Sequence, residues 1–155
     1  MITFKRISTS ADYEQAKLLF LEYAESLNFD LQFQNFEKEL ANINEQYSSP
    51  EGGIVGIFEN EKMIGCAGVR KFKDDEAELK RMFIQKTYQG RGLGKKLLVE
   101  AINLTKDLGY KRILLDTMPT MISAIYLYES YGFKKISPYR YNPFEGAIFM
   151  ALELE

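Results

Sequence analysis

The sequence contains no histidine. That absence removes Ser-His-Asp and Cys-His triads and histidine-ligated zinc, and leaves Glu, Asp, Tyr, Lys, Cys, water or backbone to carry any proton transfer. Cysteine is nearly as scarce: Cys66 is the only one, so no internal disulfide can form. With no histidine to activate it, this thiol reads as an inert, half-buried strand residue rather than an acyl carrier. Long apolar runs are missing as well; none approaches the roughly 18–20 residues of a membrane helix. Met1 leads into the alternating segment Ile2-Thr3-Phe4-Lys5-Arg6 and not into a charged-then-apolar signal sequence. These absences predict a cytoplasmic protein with no membrane partner and no metal. Internal repeats and low-complexity segments are also lacking.

What is present is ordinary for a globular protein. The 155 residues are 46% hydrophobic and 27% charged, which predicts one domain over 1–155 with a sizeable core. The net charge of −2 argues against a general nucleic-acid binder. The charge is uneven: residues 1–79 hold 8 basic and 15 acidic side chains, whereas residues 86–112 hold 7 basic and 2 acidic. A local basic stretch in an acidic chain suggests an anion site or, equally on charge alone, a solvated helix face.

Periodicity sets out the elements. Residues 2–7 alternate like a strand. Ser10 reads as the N-cap of a helix running to about Leu27, with Ala16, Phe20, Tyr23 and Leu27 on one stripe. A second helix is predicted over 33–46, with Phe33, Phe36, Leu40 and Ile43 inward. Residues 54–58 and 63–72 form a hairpin about Glu59-Asn60-Glu61-Lys62, and 76–84 adds a third strand. A helix over 92–108 closes at Gly109, a strand covers 111–117, and Pro119 opens a helix that ends at Gly132. Short strands near 133–136 and 147–154 finish the chain. Three strands in succession exclude a purely doubly wound sheet and favour a mixed α/β sheet with helices on both faces.

The most informative stretch is Gln85-Lys86-Thr87-Tyr88-Gln89-Gly90-Arg91-Gly92-Leu93-Gly94-Lys95-Lys96, where a strand feeds a glycine-rich turn and the turn opens a helix. Such a turn aims free backbone N–H groups at the positive end of the helix dipole, a device suited to phosphate. The glycines admit close approach of a ligand, and Arg91, Lys95 and Lys96 add charge. The spacing fits neither a Walker A loop, which needs Ser or Thr after its Gly-Lys pair, nor the dinucleotide fingerprint, which needs two residues before its third glycine.

Gln89-x-x-Gly92-x-Gly94 resembles the Gln/Arg-x-x-Gly-x-Gly/Ala signature of the GNAT (GCN5-related) N-acetyltransferase superfamily, and the element order resembles that family's over nearly the whole chain. Leu127-Tyr128-Glu129-Ser130-Tyr131-Gly132-Phe133 resembles its later Leu-Tyr-x-x-x-Gly-Phe motif. The resemblance implies an α/β (α+β) fold with a mixed, mostly antiparallel central sheet of six to seven strands. It implies acetyl-CoA as cosubstrate, held by Gln89, Gly90, Arg91, Gly92, Leu93, Gly94 and Lys95, with the pantetheine arm along Met82, Phe83 and Ile84. Backbone N–H near Phe83 would face the developing oxyanion. Tyr128 would lie near the coenzyme sulfur and protonate the leaving thiolate; the alternative is a core tyrosine on an amphipathic helix. At Met121 the family often has Asn, whose amide a thioether cannot replace.

The implied acceptor is a primary amine on a small molecule, amino acid or peptide. At pH 7 about one alkylamine in 10³ is neutral, so a nearby carboxylate could bind and deprotonate it. Glu78 is the first candidate, with an ion pair near Lys80 and Arg81 as its alternative, and Asp116 is the second. The acceptor site is expected to draw on the first two helices and on Tyr139-Arg140-Tyr141-Asn142-Pro143, with Tyr23, Phe29, Phe33, Tyr139 and Tyr141 as aromatic walls. Arg140 could hold a substrate carboxylate, with Asn142 and Asp116 beside it; plain packing is the alternative for each. A non-catalytic acyl-CoA-binding sensor of the same fold and a nucleotide-binding protein are competing readings. Members of the family often pair, which leaves a homodimer open.

Overall fold

The computed structural model describes residues 1–27 and 35–154. The chain runs β1 (Ile2–Arg6), α1 (Ser10–Ser26), α2 (Phe36–Ala41), α3 (Ile43–Gln46), β2 (Gly53–Glu59), β3 (Lys62–Lys73), β4 (Glu76–Ile84), α4 (Leu93–Asp107), β5 (Arg112–Thr117), α5 (Ile122–Ser130), β6 (Lys134–Ile136) and β7 (Ile148–Glu153). Seven strands form one sheet in the order β1-β2-β3-β4-β5-β7-β6, antiparallel at every junction except β4 with β5.

The two faces of the sheet carry separate cores. Leu97, Leu98, Ala101 and Leu104 of α4 pack with Val55, Ile57, Ala77 and Leu79, and α5 joins them through Tyr128. On the opposite face Tyr13, Ala16 and Phe20 of α1 pack with Phe36, Ile43, Tyr47 and Ile54. The α1 stripe follows its predicted periodicity. Its N-cap is Thr9, one residue before the predicted Ser10, because the Thr9 hydroxyl accepts from the Asp12 N–H at 3.1 Å.

Two predicted helices differ in extent. Described residues of the predicted 33–46 helix form two short ones, broken at Asn42, where φ −119° and ψ 29° leave the helical region. Residues 33 and 34, and with them the aromatic Phe33, lie outside the described residues, as does Phe29. The helix expected to open at Pro119 begins at Ile122, because the Met121 N–H first closes a turn onto the Met118 carbonyl at 2.9 Å.

Both long helices on the first face end in the same way. Gly109 (φ 92°) and Gly132 (φ 97°) take the left-handed C′ conformation. Tyr110 N–H then reaches back to the Thr105 carbonyl, and Phe133 N–H to the Tyr128 carbonyl, the Schellman pattern.

The parallel junction positions the site. β4 pairs with β5 only from Glu76↔Arg112 to Glu78↔Leu114. Beyond Glu78, β4 continues along β3 while β5 continues along β7, so the sheet splits open toward Ile84 and Thr117.

Candidate functional site

A cleft of about 580 Å³ occupies this split. Its walls are Met82, Phe83 and Ile84 of β4, Leu115, Asp116 and Thr117 of β5, the glycines at 90, 92 and 94, and one side of α5 including Tyr128. Gly92 caps α4 in the left-handed conformation (φ 77°, ψ 6°) and brings no side chain to bond the helix end. The first amides of α4 therefore lack both intrahelical partners and a capping oxygen. A Cβ built on Gly90 or Gly92 would meet nothing within 4 Å, so the outer side of the turn is open space. The Gln89 amide donates to the Ile84 carbonyl at 2.8 Å, tying the turn to the end of β4. These features suit an extended ligand whose phosphates rest on α4.

The charged side chains of the turn are arranged differently from their sequence reading. Arg91 lies over the Tyr88 ring at 5.1 Å and donates to the Thr87 carbonyl, while Lys96 turns to the Phe4 ring at 4.8 Å. Neither they nor Lys95 line the cleft.

Tyr128 is 7% exposed and sits where the C-terminal turn of α5 places it, against the Phe133 ring with centroids 5.6 Å apart. Its hydroxyl points at the Met82 Sδ, 4.0 Å away. Burial, with smaller contributions from Tyr23 and Asp116, lifts its pKa well above the usual value for a phenol, so the hydroxyl stays protonated and available as a hydrogen-bond donor at neutral pH.

β4 carries a feature that the sequence reading missed. Cys66 pairs with Phe83 and Gly68 with Lys80, so an extra β4 residue is accommodated between them. The bulge contains Arg81, whose φ is +57°. A non-glycine residue held there stores about 1–3 kcal/mol of backbone strain. The Arg81 guanidinium donates to Glu39 twice, from Nε at 3.0 Å and Nη2 at 2.7 Å, with both side chains almost wholly buried. For Glu39, burial alone would raise the pKa, but the hydrogen bonds and charge of Arg81, helped by Arg70 and Lys80, outweigh it and hold the carboxyl below its ordinary range. The available signal was a broken alternation: Ala77, Leu79, Met82 and Ile84 share one face, which requires Lys80 and Arg81 to sit side by side on the other.

The acidic candidates separate. Asp116 lines the cleft, and its Oδ2 accepts from the Asn142 amide at 3.2 Å. Glu78 is 1% exposed, outside the cleft lining. One of its oxygens accepts from the Tyr139 hydroxyl at 3.0 Å, the other from Arg140, with Arg70 Nε 3.8 Å away. Arg140 is thus spent on an internal carboxylate rather than held out for a substrate one. Lys80 lies buried beside them; burial foremost, then Arg81, pulls its pKa down to about 7 against the opposing pull of Glu78 and Asp116. Cys66 is fully buried rather than half-buried, and burial pushes its thiol well up.

The acetyltransferase (GNAT) family matches residues 18–133 of this chain. The chain belongs to that family. An uncharacterized N-acetyltransferase of Schizosaccharomyces pombe is 35% identical to this GNAT protein over 99% of the chain and 95% of its own length. A GNAT-family acetyltransferase structure from Staphylococcus aureus superposes with a TM-score of 0.81 at 24% identity, covering all of both chains. An acetyltransferase structure from Salmonella typhimurium, solved with acetyl-CoA, superposes with a TM-score of 0.72 at 17% identity over 99% of this chain and 94% of that one. The GNAT protein is an acyltransferase, and its seven-stranded sheet is the mixed, mostly antiparallel one expected. Among the described residues no helix is long and apolar enough to cross a membrane, and no group of three or more acidic or cysteine side chains could hold a metal ion.

Proposed function

We propose that this protein transfers an acetyl group from acetyl-CoA to a primary amine of a small molecule, amino acid or peptide that enters the cleft from the α1 side. The observation that carries the reading is the juxtaposition, in one cleft, of unpartnered amides at the mouth of α4, the splayed edge of β4, and the buried Tyr128 hydroxyl. The residues fit the coenzyme: the open turn at Gly90 and Gly92 leaves room for a diphosphate, and Met82, Phe83 and Ile84 offer an extended edge for its arm. When bound, the coenzyme supplies an acetyl thioester.

The chain's own residues then divide the work. Backbone N–H groups of the β4 edge face the carbonyl oxygen as charge develops there. Tyr128, kept protonated by burial, donates a hydrogen bond to the departing sulfur and stabilises the charge that develops there. Asp116 is the carboxylate that faces the cleft, and it receives the ammonium of the acceptor and holds its proton directly or through water. Glu78 serves the same half of the site by fixing Tyr139 and Arg140 of the β6–β7 loop, since both of its oxygens already accept hydrogen bonds. The acceptor walls include Tyr23 and Phe83, whose rings meet edge-on at 6.0 Å.

Thiol release over a panel of primary amines tests the reading, with calorimetry on CoA and acetyl-CoA beside it. Uptake of the coenzyme and release that depends on an amine are expected. A protein that binds acetyl-CoA but releases no thiol with any amine would favour a sensor, and one that binds neither form would end the assignment.

A further inference from the structure

Four non-glycine residues among those described have positive φ: Asn35, Asn60, Asp74 and Arg81. The first three are Asn or Asp at turns and a helix cap, residue types that tolerate this conformation. Arg81 is a bulky residue inside a strand, and it lines the cleft. Its surroundings over-determine it. The carbonyl accepts from the Cys66 thiol at 3.5 Å, and the guanidinium is gripped at both ends by Glu39 and lies 5.3 Å from the Phe36 ring centroid. Glu39 is itself fixed, because the Tyr47 hydroxyl donates to its Oε2 at 2.9 Å and Tyr47 in turn is held by Tyr13, whose hydroxyl donates to the Tyr47 carbonyl at 2.7 Å. This buried chain runs from α1 through α3 and α2 to the one strained residue of β4, and it ends immediately before Met82, Phe83 and Ile84.

We propose that Glu39, which does not line the cleft, is a positioning residue for acetyl transfer: by clamping Arg81 it holds the β4 bulge that sets the free edge of Met82–Ile84 against the cleft. The inference rests on the acetyltransferase reading. It predicts that loss of the clamp harms the reacting end while sparing the phosphate loop, since among the described residues Glu39 spends its hydrogen bonds and ion pairs on Tyr47, Arg70 and Arg81 and none on the turn from Gln89 to Lys95.

The test is a double-mutant cycle with glycine, which adopts φ near +57° without a clamp and leaves no guanidinium unpaired. Glu39→Gln is expected to lower kcat about tenfold or more, with CoA affinity within about twofold of wild type. In an Arg81→Gly background the same Glu39→Gln change should leave kcat within about twofold, because nothing remains to be held. This second arm stands even if the single variant fails to fold. Amide NMR gives a readout independent of the acceptor: in Glu39→Gln the coenzyme-induced shifts of Gly90–Lys95 persist and those of Met82–Ile84 are lost. Equal losses in the two backgrounds, a fall in CoA affinity parallel to kcat, or strand shifts retained in Glu39→Gln would overturn the inference. A wild type that binds no coenzyme would instead overturn the reading beneath it.

Discussion

The two halves of the cleft are built on opposite plans. The half proposed for the coenzyme is made of backbone: glycines at 90, 92 and 94, a helix end with no capping side chain, and a strand edge left without a neighbour. Its basic side chains turn aside, Arg91 to Tyr88 and Lys96 to Phe4. The proposed acceptor half is backed by side chains: Arg81 lines the cleft, and behind it Glu39, Arg70, Glu78, Arg140 and Tyr139, drawn with it from four separate parts of the chain, are locked in buried ion pairs and hydrogen bonds. A backbone site recognises a ligand common to a whole family and needs little beyond local geometry. A side-chain site can be rebuilt for each acceptor, at the cost of burying charges that tolerate no loss of a partner.

Substitutions that alter shape without altering charge break this contrast most sharply. Gly92→Val should reduce CoA affinity by about 100-fold or more, because a β-branched residue resists φ 77° and its side chain fills the open face of the turn. Gly94→Ala, whose new methyl would lie 3.6 Å from Leu127 in ordinary contact, keeps the fold and isolates the ligand-side effect; calorimetry reads both. Next in size, Tyr128→Phe should lower kcat on the order of 100-fold with CoA affinity unchanged, measured as thiol release beside calorimetry. On the acceptor side, Asp116→Asn should raise KM for the amine about tenfold and leave KM for acetyl-CoA alone, a split that steady-state kinetics would show.

The last effect, on stability and not on catalysis, concerns Lys80. Its pKa lies near 7 in the folded protein and at 10.5 when free, so between these values the unfolded chain binds more protons and stability rises with pH. One such group contributes up to about 1.4 kcal/mol per pH unit. Chemical denaturation at pH 7 and pH 9.5 should show that rise in the wild type and a flatter response in Lys80→Met.

The same division explains what could be read from residues alone. The turn at 89–95 was legible because a helix N-terminus with spaced glycines is a local pattern, and so were the C′ glycines at 109 and 132. The strand segments followed from alternation, and their union in one mostly antiparallel sheet of six to seven strands was implied by the family resemblance. The buried network behind the cleft was not legible, because Glu39 reaches Arg81 across 42 positions and Arg140 reaches Glu78 across 62. Glu78 was singled out as an acid near the loop, yet its partners come from the β6–β7 connection, which no local spacing reveals. Arg81 was passed over because the strand period assumes regular pairing, and a bulge violates it.

Cys66 has a practical consequence. The chain's single thiol is fully buried, donates to the Arg81 carbonyl and is poorly acidic. Colorimetric reagents that react with thiolates find nothing on the native enzyme to attack. Any colour that develops in a reaction mixture of pure protein, amine and thioester therefore counts liberated coenzyme alone, and slow reaction of the protein itself would register the opening of the sheet behind the bulge.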